Sequence, residues 1–229
     1  DSVVESKIEW INIEDSKLKD KVSWFQPDVL FHAAWGGVRG NGREDGNVQN
    51  ENLAMSRRMF ELYPYKQIIV IGSQAEYGFY YGPVDENHAL RPTMEYGRAK
   101  KQCCDDLKKY CESKDLEWQW IRIFTVFGEQ QTGGLIKLAI DKCKEGDKKF
   151  DTTEGNQRYS YLYAVDFAKA LCQMLGAKGK SGIYNLSQPM EVHSNRYVLE
   201  RIKEKMHSDI RFNFGAIPYV DDQIMLMDG

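Results

Sequence analysis

Residues 66–78 read KQIIVIGSQAEYG and residues 95–100 read EYGRAK. The first is a run of branched apolar residues ending at a serine, which is how a strand buried on both faces of a parallel sheet reads. The second opens EYGRAKKQCCDDLKKYCES, whose periodicity predicts a helix over 95–113 with Tyr96 close to its start. Outward from this pair, Asp28–Ala34 (DVLFHAA) predicts a short strand after Pro27, and 48–62 (VQNENLAMSRRMFEL) predicts a helix. Trp118–Phe124 predicts a further strand, and the alternation of 7–13 (KIEWINI) another near the chain start. Strand and helix thus alternate through the first half, the α/β pattern of a doubly wound parallel sheet. Such sheets hold ligands beyond the carboxyl ends of their strands. Ser73 stands at one such end, and His32, Ala33 and Ala34 stand at another.

The second half predicts a helix over 134–145 that Gly146 ends, a strand over 159–163 and a helix over 164–175. A strand over 182–187, a helix over 194–206 and a strand over 210–215 follow. A chain of 229 residues predicts one unit of two lobes. Hydrophobic residues at 42% and charged residues at 28% are ordinary for a globular protein. A net charge of −3 gives no electrostatic case for nucleic acid. No apolar run is long enough to span a bilayer, and the start DSVVESKIEW lacks the basic and apolar regions of a signal peptide, so a cytoplasmic protein without membrane contact is expected. The 5 cysteines form no C-x-x-C and the 4 histidines are scattered, so neither a disulfide framework nor a metal site is expected.

Tyr-x-x-x-Lys occurs at Tyr96/Lys100 and again at Tyr110/Lys114. The second pair lies in the charged stretch KKYCESK and reads as a solvated helix face. The first follows a strand that ends in serine, so strand end and helix start converge at one edge of the sheet. A phenol is a poor base at neutral pH, and a cation one helical turn away favours the phenolate. Tyr96 is therefore the candidate acid/base, Lys100 its cation, and Ser73 the group that fixes the reacting oxygen.

The glycine-rich stretch GGVRGNGREDG (36–46) resembles a phosphate-binding turn, but about a dozen residues separate Ala34 from the next helix. A phosphate-cradling turn passes from strand to helix within a few residues, so a loop at the mouth of the site is the better reading, with Arg39 and Arg43 within reach of a substrate phosphate. His32 sits in an apolar strand and reads as a satisfied core histidine. Tyr159, Tyr161 and Tyr163 share one strand face at period two and read as packing, as do Cys103 and Cys104 on the tyrosine helix.

In order along the chain, DVLFHAAWGG, ENLAMSRRMFEL, IVIGSQAEYG, EYGRAK, RIFTVFGEQQTGGLI and YLYAVDFAKAL resemble the motifs of the extended short-chain dehydrogenase/reductases. More narrowly they resemble the NAD-dependent epimerase/dehydratase group acting on nucleotide sugars, in wording like the CDP-abequose and CDP-paratose synthases. The resemblance implies a Rossmann-like fold, NAD or NADP as cofactor, and Ser73, Tyr96 and Lys100 as catalytic residues. It implies a cofactor lining of His32, Ala33, Ala34, Asn52, Ile71 and Ile123, with Tyr96 and Lys100. It implies substrate contacts from Ser73, Gln74, Thr125, Leu135 and Arg158, and a CDP-, UDP- or dTDP-hexose as substrate. A homodimer through the helices at 48–62 and 95–113 is also implied. The cofactor lobe would span 1–125 and the substrate lobe 126–229, with the helix at 164–175 returning to the first.

Departures shape the expected activity. The dehydratases of the group carry an acid pair directly after the serine, where this chain has Gln74 and Ala75, so 4,6-dehydration is disfavoured. Glu76 comes one residue late, on a segment read as strand-like that would turn it away. Tyr159 and Val220 stand where phosphate-binding arginines are expected, and Asn12 or Asp15 where an adenine-contacting aspartate is expected. The group's opening strand with its G-x-x-G-x-x-G turn is not in this sequence, so the chain reads as truncated. Hydride transfer at C4 of a nucleotide-activated hexose, by a 4-epimerase or a 4-ketoreductase, is the expected activity. The rival is a non-catalytic binding relative.

Overall fold

A computed structural model describes residues 9–80, 82–176, 180–188, 192–219 and 226–227. In chain order, α1 (Leu18–Phe25) leads to β1 (Val29–His32), α2 (Gly46–Glu61), β2 (Gln67–Ser73), α3 (Glu95–Glu112) and β3 (Glu117–Ile123). Then come β4 (Thr125–Phe127), α4 (Leu135–Glu145), β5 (Lys149–Asp151), β6 (Arg158–Tyr163) and α5 (Ala164–Gly176). β7 (Gly182–Leu186), β8 (Val192–Ser194), α6 (Asn195–Lys205), β9 (Arg211–Asn213) and β10 (Leu226–Met227) complete the order.

The strands β1, β2, β3 and β7 lie side by side in one parallel sheet, with His32 opposite Val70 and Ser73 opposite Ile123. Alternation along β2 sorts its side chains between two helical layers. Ile68 and Val70 pack with Phe60 of α2 and Cys103 and Leu107 of α3. Ile69 and Ile71 pack with Leu171, Phe167 and Met174 of α5 on the other face. Both faces are thus covered, which is why this strand reads as continuously apolar. The later residues build a second layer: β6 pairs with β4, β8 and β10, while α4 and α6 pack over β5 and β9 through Ala139, Leu199, Ile210 and Phe212.

Five short elements, α1, β4, β5, β8 and β10, were not expected, each too short for a clear periodic signal. The strand expected over 7–13 is corrected. Residues 7 and 8 lie outside the described residues, and 9–12 are irregular before a turn at 13–14. They join no sheet, and an unpaired strand leaves its amides without ladder partners.

The turn after Ser73 decides how the end of β2 meets the start of α3. Gln74–Glu76 is a 3-10 turn rather than the strand-like segment expected. Ser73 Oγ accepts from Ala75 N–H, and Glu76 Oε1 accepts from Ser73 N–H at 2.9 Å, a reciprocal cap. The same carboxylate accepts from Trp120 Nε1 and from Arg122 Nε, each at 2.9 Å, and both ionic side chains are shut off from solvent. Glu76 is therefore committed to the core by its cap and its ion pair, not by strand alternation. α3 lies against this turn because residue 97 is glycine: a Cβ there would stand 2.5 Å from Ala75 O.

Replacing Glu76 by glutamine leaves Arg122 charged and buried without a counter-ion. The variant should lose about 3–5 kcal/mol of unfolding free energy, read by urea denaturation, since removing one partner of a buried pair costs that much.

Candidate active site

Ser73 closes β2 and Tyr96 is the second residue of α3, and both are buried. Burial pushes the Tyr96 phenol above its usual range; the neighbouring Ser73 side chain and the Arg43 charge pull it down, and the Glu76 charge pushes it up. Lys100 lies one turn further on and is almost wholly buried. Its Nζ donates to Ile71 O at 2.7 Å and lies 3.7 Å over the Trp35 ring and 6.0 Å from the Tyr96 ring centroid. Burial lowers this ammonium to about 8, against the raising effects of Cys103 and Glu76.

An ammonium carries three donors, and the one hydrogen bond to Ile71 O leaves donors over. That surplus, at the carboxyl edge of a parallel sheet, fits the sugar hydroxyls of a nicotinamide ribose. The sequence reading made Lys100 the cation of Tyr96. The structure sets a nearer one beside the ring: the Arg43 guanidinium stands 4.8 Å from the Tyr96 centroid.

Arg43 comes from the glycine-rich loop between β1 and α2. The loop ends in a 3-10 turn over Gly40–Arg43, and Asp45 caps α2 by accepting from Asn47 N–H and Val48 N–H. Buried Gln49 of α2 donates to Gly42 O at 2.7 Å, and buried Asn52 accepts from Gly36 N–H and donates to Gly36 O. Glu44 Oε2 accepts from Glu95 N–H at the start of α3, and Arg39 donates to Thr132 Oγ1 at 3.2 Å. The stretch is thus a tethered loop beside Tyr96.

The remaining sequence-predicted residues divide. Ala33 and Ala34 are exposed just past β1, Ile71 lies in the wholly buried β2 two residues before Ser73, and Ile123 ends β3 beside Ser73. Gln74 is half-buried, and its Oε1 is buried without a hydrogen-bond donor. Thr125 is half-buried at the start of β4. Packing describes three more of the residues expected to line a ligand. The His32 ring is turned onto α2, where Nε2 meets Ser56 Oγ at 2.9 Å, and the Asn52 amide is spent on Gly36. Leu135 packs into the core of α4 and α6. Arg158 is exposed, Asn12 and Asp15 lie in the segment before α1, and Val220 lies outside the described residues.

Tyr159, Tyr161 and Tyr163 do pack together: Tyr161 bonds Asn195, Tyr163 bonds Glu129, and Phe127 packs edge-on against Tyr161 and tilted against Tyr163. Tyr161 and Tyr163 line a cavity of about 740 Å³ between β4, β6, α4 and α6 that none of Ser73, Tyr96 or Lys100 lines. The residue that sequence reasoning undervalued is Arg43. Its signal was a basic residue near the end of a long loop after a ligand-binding strand end.

Residues 2–187 match the model of the NAD dependent epimerase/dehydratase family, and the chain belongs to that family. Over 204 residues it is 29% identical to a putative UDP-glucose 4-epimerase of Methanocaldococcus jannaschii, covering 84% of this chain and 66% of that protein. Over 233 residues it is 25% identical to the CDP-abequose synthase of Salmonella muenchen, covering 98% and 75%. The crystal structure of Thermus thermophilus UDP-glucose 4-epimerase with NAD superposes with a TM-score of 0.82 at 19% identity, covering 95% of this chain and 74% of that one. These structures share the Rossmann-type fold expected from the sequence.

Burial lowers the His32 imidazole to about 4, with the Lys100 charge adding to the effect. The folded protein thus holds His32 neutral where the unfolded chain protonates it, so stability falls as pH drops from the unfolded value near 6.5 towards 4. Between neutral pH and pH 4 this group should remove about 3 kcal/mol of unfolding free energy. The difference between wild type and His32→Gln in denaturant titrations across that range measures it.

Proposed function

We propose that this chain carries the acid/base centre of an NAD(P)-dependent enzyme transferring hydride at C4 of a nucleotide-activated hexose, as a 4-epimerase or 4-ketoreductase. The observation that carries this reading is the buried hydroxyl pair of Ser73 and Tyr96 beside a lysine with donors to spare. Ser73 would hold the C4 oxygen, and Tyr96 would take or give its proton. Lys100, held by Ile71 O, would grip the ribose of the cofactor and add positive charge to the site. The nicotinamide, when bound, supplies the hydride acceptor and donor. Gln74 Oε1, lacking a donor, would receive a sugar hydroxyl.

A buried Glu76 locked in an ion pair offers no second acid after the serine, which favours C4 redox chemistry over 4,6-dehydration. A CDP-, UDP- or dTDP-hexose is the proposed substrate, bound between a lobe of 1–125 and one of 126–229. The relatives named for sugars on UDP and CDP support that range. The outer faces of α2 and α3, which pair through Arg57 and Asp106, are the proposed homodimer surface.

The test is Tyr96→Phe in the full-length protein with NAD(P) and each nucleotide sugar. Turnover should fall by about 100-fold or more with unchanged thermal stability. Turnover equal to wild type would sink the assignment. An epimerase shows product without net change in nicotinamide absorbance, whereas a ketoreductase consumes reduced cofactor mole for mole.

A further inference from the structure

We propose that Arg43 is a positioning residue of this centre, clamping the Tyr96 ring and stabilising the phenolate that forms there. This rests on the reading of Tyr96 as the acid/base.

The geometry carries the inference. The guanidinium stands 4.8 Å from the Tyr96 ring centroid, while the Lys100 ammonium is 6.0 Å away, bonded to Ile71 O and covered by Trp35. Arg43 pairs with no carboxylate among the described residues: the neighbouring Glu44 is occupied with Glu95 N–H. Its Nε is buried and has no hydrogen-bond acceptor. A buried donor without a partner costs about 1–3 kcal/mol, so an arginine kept only for packing is poorly placed here. The loop that delivers it is nonetheless fixed by Gln49, Asn52, Glu44 and Arg39.

The groups facing Tyr96 are few. Ser73 and the Glu76 charge act on its phenol, Trp35 packs edge-on at 6.4 Å, Lys100 comes from its own helix, and Arg43 covers the ring. Burial brings Lys100 down to about 8, so its support for a phenolate fades as its proton leaves. An opposite charge within about 4–6 Å moves an ionisation by about 1–3 pH units.

The test compares wild type with Arg43→Gln and Arg43→Lys in the full-length protein. One readout is the pH profile of kcat/KM. The other is the ionisation of Tyr96 followed by carbon NMR of tyrosine-labelled protein, its signal assigned by its loss in Tyr96→Phe. In Arg43→Gln both should move at least about 1 unit towards alkaline pH, with kcat/KM at neutral pH about 10-fold lower and recovering at high pH. Arg43→Lys should restore most of the shift. Should Arg43→Gln fail to fold, Arg43→Met keeps the stem against the ring and gives the same comparison. An unmoved Tyr96 signal in a folded variant overturns the proposal. The NMR titration needs no substrate, so it decides Arg43 even where Tyr96→Phe retains full turnover and the proposed reaction falls.

Discussion

A single carboxylate, Glu76, ties together the end of β2, the middle of β3 and, through Arg122, the loop before α3. Arg122 Nη1 reaches Tyr77 OH at 3.0 Å and Glu86 O, and Tyr77 OH passes the network to Asn185 of β7 at 2.7 Å. Taking two charges out of water costs several kcal/mol per ion, and only near-complete hydrogen bonding offsets it. Here Ser73 N–H, Trp120 and Arg122 all donate to the one acid, so the pair is sustained by the same bonds that set the serine in place. The placement of Ser73 at the sheet edge therefore depends on an interaction shut off from solvent.

The sheet was legible because its strands are long enough to show their environment. The run 68–71 is branched and apolar throughout, and its two burial faces follow from strand geometry alone. The tyrosine helix was legible for the same reason, with Cys103, Leu107 and Cys111 on its inward side. The role of Glu76 was not, because its partners Trp120 and Arg122 lie more than forty residues on and are chosen by strand register. β4, β5 and β8 span three residues each, too short for any period to register.

The site itself was half legible. Ser73, Tyr96 and Lys100 carry a motif whose spacing states its geometry. The loop over 36–46 has no period, and its shape is decided by two amides on α2, Gln49 and Asn52, that read in sequence as ordinary helix residues. His32 read from its apolar strand as a satisfied core histidine, and Ser56 on the covering helix is the partner that satisfies it. Position along a strand names the edge a residue occupies but not the face its neighbours leave open.

The loop that brings Arg43 to Tyr96 also sends Arg39 across to Thr132, in the segment that leads into α4. One short turn thus links the approach to α4 with the ring of Tyr96, and its base is pinned on α2 by Gln49 and Asn52.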